Sequence, residues 1–132
     1  MNNKVSFAGI KREAKMQFVL IFNDPPYGSE RVYNGLRLTH ALARKSPEAK
    51  ITVFLMADAV LAARTRRQTP EGFYNIELML KRVVSAGGTV LLCGTCMDAR
   101  GLPESGMIKG AARSTMDALA EATLKATRVL TF

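Results

Sequence analysis

The chain has little of what usually announces a function. Its 132 residues include two cysteines and one histidine. So few cysteines exclude a disulfide-stapled secreted scaffold, which would spread many along the chain. A structural zinc site needs about four ligands, and Cys93, Cys96 and the distant His40 do not supply them within one chain. No apolar run approaches the ~18 residues of a membrane span. Residues 1–15 are polar and basic with no apolar centre, so they do not form a secretory signal. A cytoplasmic address is the resulting expectation.

Acidic residues are also scarce, 11 against 19 basic ones, for a net charge of +8. Lys4, Lys11, Arg12 and Lys15 put part of that excess into the first fifteen residues. The rest is read as a solvated surface. The basic residues are not interleaved with aromatics and no helix-turn-helix is visible, so nucleic acid is not an expected partner. Residues 1–15 read as a basic arm, and residues 16–132 as a single domain.

What is present is an alternation of apolar runs and amphipathic stretches. Met16–Phe22 is nearly continuous apolar chain, the mark of a strand covered on both faces. Pro25, Pro26 and Gly28 break it. Ser29 is the expected cap of a helix running to Lys45, with Val32, Leu36, Thr39 and Ala43 on one face. Residues 51–56 form a second strand, and Asp58 is expected to cap a short helix through Ala63. Residues 64–72 read as an exposed loop. Asn75 is expected to cap a helix over Ile76–Ser85. Gly87 and Gly88 end it, and Thr89–Leu92 is a third strand with Cys93 at its carboxyl end. A short helical turn is expected over Cys96–Arg100, a fourth strand at Met107–Ile108, and a helix over Thr115–Lys125 with Met116, Leu119, Ala120 and Leu124 inward. Residues 128–132 close the chain as a last strand. Strand and helix alternate throughout, the pattern of a three-layer α/β domain.

In open α/β sheets, ligands gather beyond the carboxyl ends of the strands. Cys93 stands there, and Cys96 follows at a spacing that lets both sulfurs approach. Amide N–H groups of Gly94 and Thr95 and the guanidinium of Arg100 are candidates to favour the thiolate. Tyr27, Gly28 and Ser29 follow the first strand at the same edge and could line the same pocket. On the residues alone three chemistries stay open: sulfur transfer through a persulfide, thiol–disulfide exchange, and half of a metal site. Inert packed thiols are the bland alternative.

Several short motifs then recur in one order: Pro26 to Glu30, Leu36 to Leu38, Phe54 to Val60, Tyr74 to Ile76, Cys93 to Cys96, Asp98 to Gly101, and Val129 to Phe132. This set resembles the YchN branch of the DsrE/DsrF-like family over residues 16–132. The resemblance implies a three-layer α/β/α fold with a mostly parallel five-stranded sheet. It implies self-association into homotrimers or homohexamers, and partners that donate and accept sulfur. It also implies that the cysteine ending the third strand carries persulfide sulfur, as in the sulfur-relay members, and Cys93 matches that position. Cys96 matches the second cysteine of the branch, which the relay subunit lacks. No cofactor or metal is expected. The competing function is a non-catalytic homo-oligomeric binding or redox-sensing protein.

Overall fold

The computed structural model describes residues 15–132. The basic arm expected over residues 1–15 lies outside them, apart from Lys15. Five strands are present: β1 (Gln17–Phe22), β2 (Lys50–Leu55), β3 (Thr89–Cys93), β4 (Ala111–Ser114) and β5 (Arg128–Thr131). They form one parallel sheet in the order β4-β3-β2-β1-β5. The helices are α1 (Arg31–Lys45), α2 (Ile76–Ser85), α3 (Gly94–Ala99) and α4 (Met116–Lys125), with a 3₁₀ segment over Ala57–Ala63.

The strand order explains the layers. From β1 to β4 the chain steps in one direction across the sheet, and right-handed crossovers put their helices on one face. The return from β4 to β5 steps back over three strands, so α4 lies on the other face. Side chains alternate between the two. Leu20, Phe22, Val53, Leu55 and Leu92 are buried beneath α1 and α2. Val19, Thr52 and Leu91 face α4. α1 approaches the sheet closely because Gly35 lacks a Cβ. A Cβ there would run into the Phe22 ring and touch Phe132. Those two rings stack at 5.2 Å and tie the last residue to β1.

Most expected elements are found, with five corrections. The fourth strand is Ala111–Ser114 and not Met107–Ile108. Met107 and Ile108 are buried, and burial accounts for their apolar character. Met107 makes one antiparallel bridge to Arg64, and the Ile108 N–H donates to the Ala63 carbonyl. The true β4 is an edge strand, where little burial is demanded of its side chains. α4 is rotated from the expected face. Met116 and Leu124 are 58% and 86% exposed, Ala120 is exposed, and Leu119 with Ala118 and Ala122 turns inward. Thr115 sets this phase by accepting from the Ala118 N–H. Ser29 is not the cap residue of α1. Glu30 holds that position without a side-chain bond, while the Ser29 hydroxyl donates to Asp24. Asp58 does not cap the 3₁₀ segment, because its carboxylate is taken by Arg100. α3 starts at Gly94, two residues earlier than expected.

Asn75 does cap α2, accepting from the Leu78 N–H at 3.2 Å. The preceding loop is pinned at its start. The carboxylate of Glu77, 6% exposed, accepts the Arg67 N–H at 2.8 Å and the Arg66 N–H at 3.3 Å, and pairs with Lys81 at 3.0 Å. The Arg67 guanidinium donates to the Leu61 carbonyl and lies over the Tyr27 ring. Burial opposes ionisation of Glu77. The two backbone donors and Lys81 outweigh it and hold the carboxyl below its ordinary value. Its folded value is therefore below the unfolded one. The stability it adds is present above ~4.3 and lost as pH falls through the lower folded value. Glu77→Gln should cost roughly 1–3 kcal/mol at neutral pH and flatten the acid limb of a urea-denaturation series. Parallel acid limbs in both proteins would contradict this anchor.

Candidate functional site

Cys93 is the last residue of β3 and the cap residue of α3. It follows the alternation of Leu91, so its side chain leaves the sheet on the α4 face. There it turns back, and its Sγ accepts the Cys96 N–H at 3.3 Å. The sulfur therefore does the work that a serine or aspartate oxygen does at other helix starts. The Thr95 hydroxyl lies 3.3 Å from the same sulfur. The Cys96 sulfur accepts a different donor, the Ala57 N–H at 3.2 Å. Ala57 has φ of +52°, a left-handed backbone that a residue with a Cβ adopts at some cost, and this conformation belongs to the link between β2 and the 3₁₀ segment.

The two thiols are thereby made unequal. Burial opposes ionisation of Cys93, which is only 7% exposed. The Cys96 thiol, the Thr95 hydroxyl and the amides of both residues outweigh it and hold Cys93 below the ordinary thiol range. Cys96 is pushed up, by burial first and by the Cys93 sulfur beside it. The Ala57 amide and the Arg100 charge offset this only in part. Of the pair, Cys93 is the sulfur that gives up its proton more readily.

The flanking arginines differ from expectation. Arg100 does not approach Cys93. Its Nε and Nη2 each reach Asp58 Oδ1 at 2.9 Å, and its Nη1 donates to the Cys96 carbonyl at 3.1 Å. A cation whose charge acts together with Cys93, and to which the sequence did not point, is Arg113 of β4. Its guanidinium packs on Gly94, where an added Cβ would lie 2.9 Å from Cζ. It makes a two-pronged bond to Asp98 at 2.8 and 2.7 Å. That pairing is the main reason its affinity for its proton is raised, with Cys93 a minor contributor. Nothing local marks Arg113; only the β3–β4 pairing brings it to the cysteines. Both arginines are matched by carboxylates, so hydrogen bonds rather than a positive rim favour the Cys93 thiolate.

Tyr27, Gly28 and Ser29 hold other groups than the sulfurs. The Tyr27 hydroxyl donates to the Tyr74 carbonyl and accepts from the Ile76 N–H, and its ring stacks on Tyr74 at 5.4 Å. Gly28 turns the chain at φ of +112°, open to glycine. Ser29 is bonded to Asp24. None of the three makes a hydrogen bond to Cys93 or Cys96. Among the described residues no group of three or more His, Cys, Asp or Glu side chains could hold a metal. No helix among them is long and apolar enough to cross a membrane.

The chain is thus a small α/β protein whose parallel sheet places a hydrogen-bonded thiol at the end of its third strand and a second thiol one helical turn on. The chain belongs to the DsrE/DsrF-like family, whose sequence model matches residues 16–132. It is 41% identical over 116 residues to protein YchN of Escherichia coli strain K12, covering 88% of this chain and 98% of that one. The crystal structure of the ychN protein from E. coli superposes with a TM-score of 0.83 over 89% of this chain and 99% of that one. A more distant relative is sulfurtransferase TusD of Salmonella arizonae, 26% identical over 129 residues, which cover 89% of this chain and all of that one.

Thr95→Val keeps the shape of the side chain and removes the hydroxyl donor. The Cys93 thiol should move back toward its ordinary range, and its alkylation by iodoacetamide at pH 7 should slow about threefold to tenfold. An unchanged rate would show that Thr95 does not support the thiolate.

Proposed function

We propose that the protein carries sulfane sulfur as a persulfide on Cys93. The Cys93 thiolate attacks the outer sulfur of a donor persulfide. A new S–S bond forms as the donor's S–S bond breaks, and the donor leaves as a thiolate that takes a proton from water. An acceptor thiolate then attacks the terminal sulfur, and Cys93 is released as the thiolate. No electrons are gained or lost over the cycle. Without an acceptor, the Cys96 thiolate attacks the inner sulfur, expels hydrosulfide and leaves a Cys93–Cys96 disulfide, which an external dithiol must reduce. The chemistry calls on no organic cofactor or metal. Donor and acceptor are sulfur-handling proteins or small thiols.

The observation that carries this reading is the opposite bias of the two sulfurs, Cys93 toward thiolate and Cys96 toward thiol. Membership in a family that includes a sulfurtransferase supports it. Thr95 and the amides that follow Cys93 would hold the anion; Arg100 would act on Cys96.

The same reading has the protein working as a homo-oligomer. One helix, α4, covers a face that a five-stranded sheet presents, and Val129, Met116 and Leu124 remain 40%, 58% and 86% exposed on that side. Cys93 leaves the sheet toward this thinly covered face. A second copy seated there would bring the thiol to a subunit boundary.

A second reading, a dithiol that senses redox state without carrying sulfur, is favoured by the hydrogen bond between the Cys96 thiol and the Cys93 sulfur, which brings the two within reach of a disulfide. Intact-mass spectrometry separates the two. Reduced protein incubated with cysteine persulfide in thiol-free buffer should gain one sulfur atom. Cys93→Ser should gain none. Cys96→Ser should keep the adduct several-fold longer, because the internal release path is gone. A wild type that goes straight to the disulfide with no adduct, while Cys96→Ser also stays unmodified, would leave only the sensing role.

A further inference from the structure

At the amino edge of the sheet, opposite the cysteines, the last turns of α1 and α2 diverge. They leave a cleft of about 330 Å³, within the range of small-molecule sites. Ala43, Ile51 and Val83 give it an apolar floor, and His40, Arg44 and Arg82 stand at its polar side. The His40 ring is fixed, its Nε2 donating to the Met79 carbonyl at 2.9 Å. No carboxylate lines the cleft.

The contrast with the other edge is informative. Arg31, Arg100 and Arg113 near the carboxyl edge each have a carboxylate partner, and the Arg67 guanidinium there is held by the Leu61 carbonyl and the Tyr27 ring. Among the described residues, neither Arg44 nor Arg82 enters an ion pair. A cation in the last turn of a helix offsets its dipole. That accounts for Arg44 on α1 and Arg82 on α2 taken singly. What makes them a pair is that both line one apolar cleft with no carboxylate in it. The helix-end carbonyls do not make the cleft a cation site either. Leu42, Arg82, Val83 and Val84 each have their carbonyl closed by a backbone N–H, from Ser46, Ala86, Gly88 and Gly87 respectively.

We propose that this cleft binds a small amphipathic carboxylate. Its apolar body, on the order of ten non-hydrogen atoms, packs on Ala43, Ile51 and Val83. Its carboxylate faces Arg44 and Arg82, which present planar, paired donors suited to that group. The site is separate from the thiols, and the proposal does not rest on sulfur chemistry.

Methyl NMR titration of the full chain with 4-phenylbutyrate and with its neutral amide tests this. The Ile51 and Val83 methyl signals should shift with the carboxylate at millimolar concentration. The carboxylate should bind about tenfold more tightly than the amide at low salt. The Arg44→Gln, Arg82→Gln double variant should bring the two probes within about twofold of each other. Ala86→Trp, a filler at the exposed rim, should abolish both titrations, and Cys93→Ser should leave both as in the wild type. Equal affinity for acid and amide, or no shift at Ile51 and Val83 with either probe, would overturn the proposal.

Discussion

The site depends on one hydrogen bond, from the Cys96 N–H to the Cys93 sulfur. β3 ends and α3 begins at the same residue, so the first amides of the helix need an acceptor, and the only side chain in place is a thiol. That requirement turns Cys93 back over its own helix. It also fixes the start of the turn that carries Cys96 toward the Ala57 amide. Each sulfur then has a donor of its own, and the two donors come from different segments of the chain. The inequality of the thiols comes from what Cys93 receives in addition, the Cys96 thiol and the Thr95 hydroxyl.

Charge plays a smaller part than the composition suggests. A chain of +8 invites the idea of a cation beside a thiolate. Around the cysteines the arginines are neutralised locally, Arg100 by Asp58 and Arg113 by Asp98. Their contribution is to hold backbone in place. Arg100 ties the Cys96 carbonyl to the 3₁₀ segment, and Arg113 packs against Gly94 where a side chain would not fit. Short-range hydrogen bonds are screened far less by salt than exposed charges are. At the opposite edge, among the described residues, Arg44 and Arg82 beside the cleft between α1 and α2 enter no ion pair.

The sheet was legible in the sequence because its inner strands are covered on both faces and are apolar but for Thr52, as Phe18–Phe22 and Ile51–Leu55 show. The cap at Asn75 and the end of α2 were legible because a cap residue and a glycine pair are local signals. The elements that misled are those where tertiary context outweighs local pattern. Met107 and Ile108 are apolar because they fill the core, not because they pair. Met116 and Leu124 lie at helical spacing on a face that one copy of the chain leaves bare. The cysteine turn could be found from the sequence, but its partners could not. Ala57 and Arg113 come from other elements, and only the strand order assembles them. Arg100 was assigned to the thiolate because it is close in sequence, and Asp58 claims it in space.

The central claim is the order in which the two thiols ionise. Differential alkylation of the reduced protein across pH 5 to 10, with each cysteine quantified on its own peptide after denaturation, measures that order directly. The account predicts that Cys93 is labelled at lower pH than Cys96, with the two titrations separated. Cys96 titrating first, or both thiols titrating together as ordinary cysteines, would contradict it.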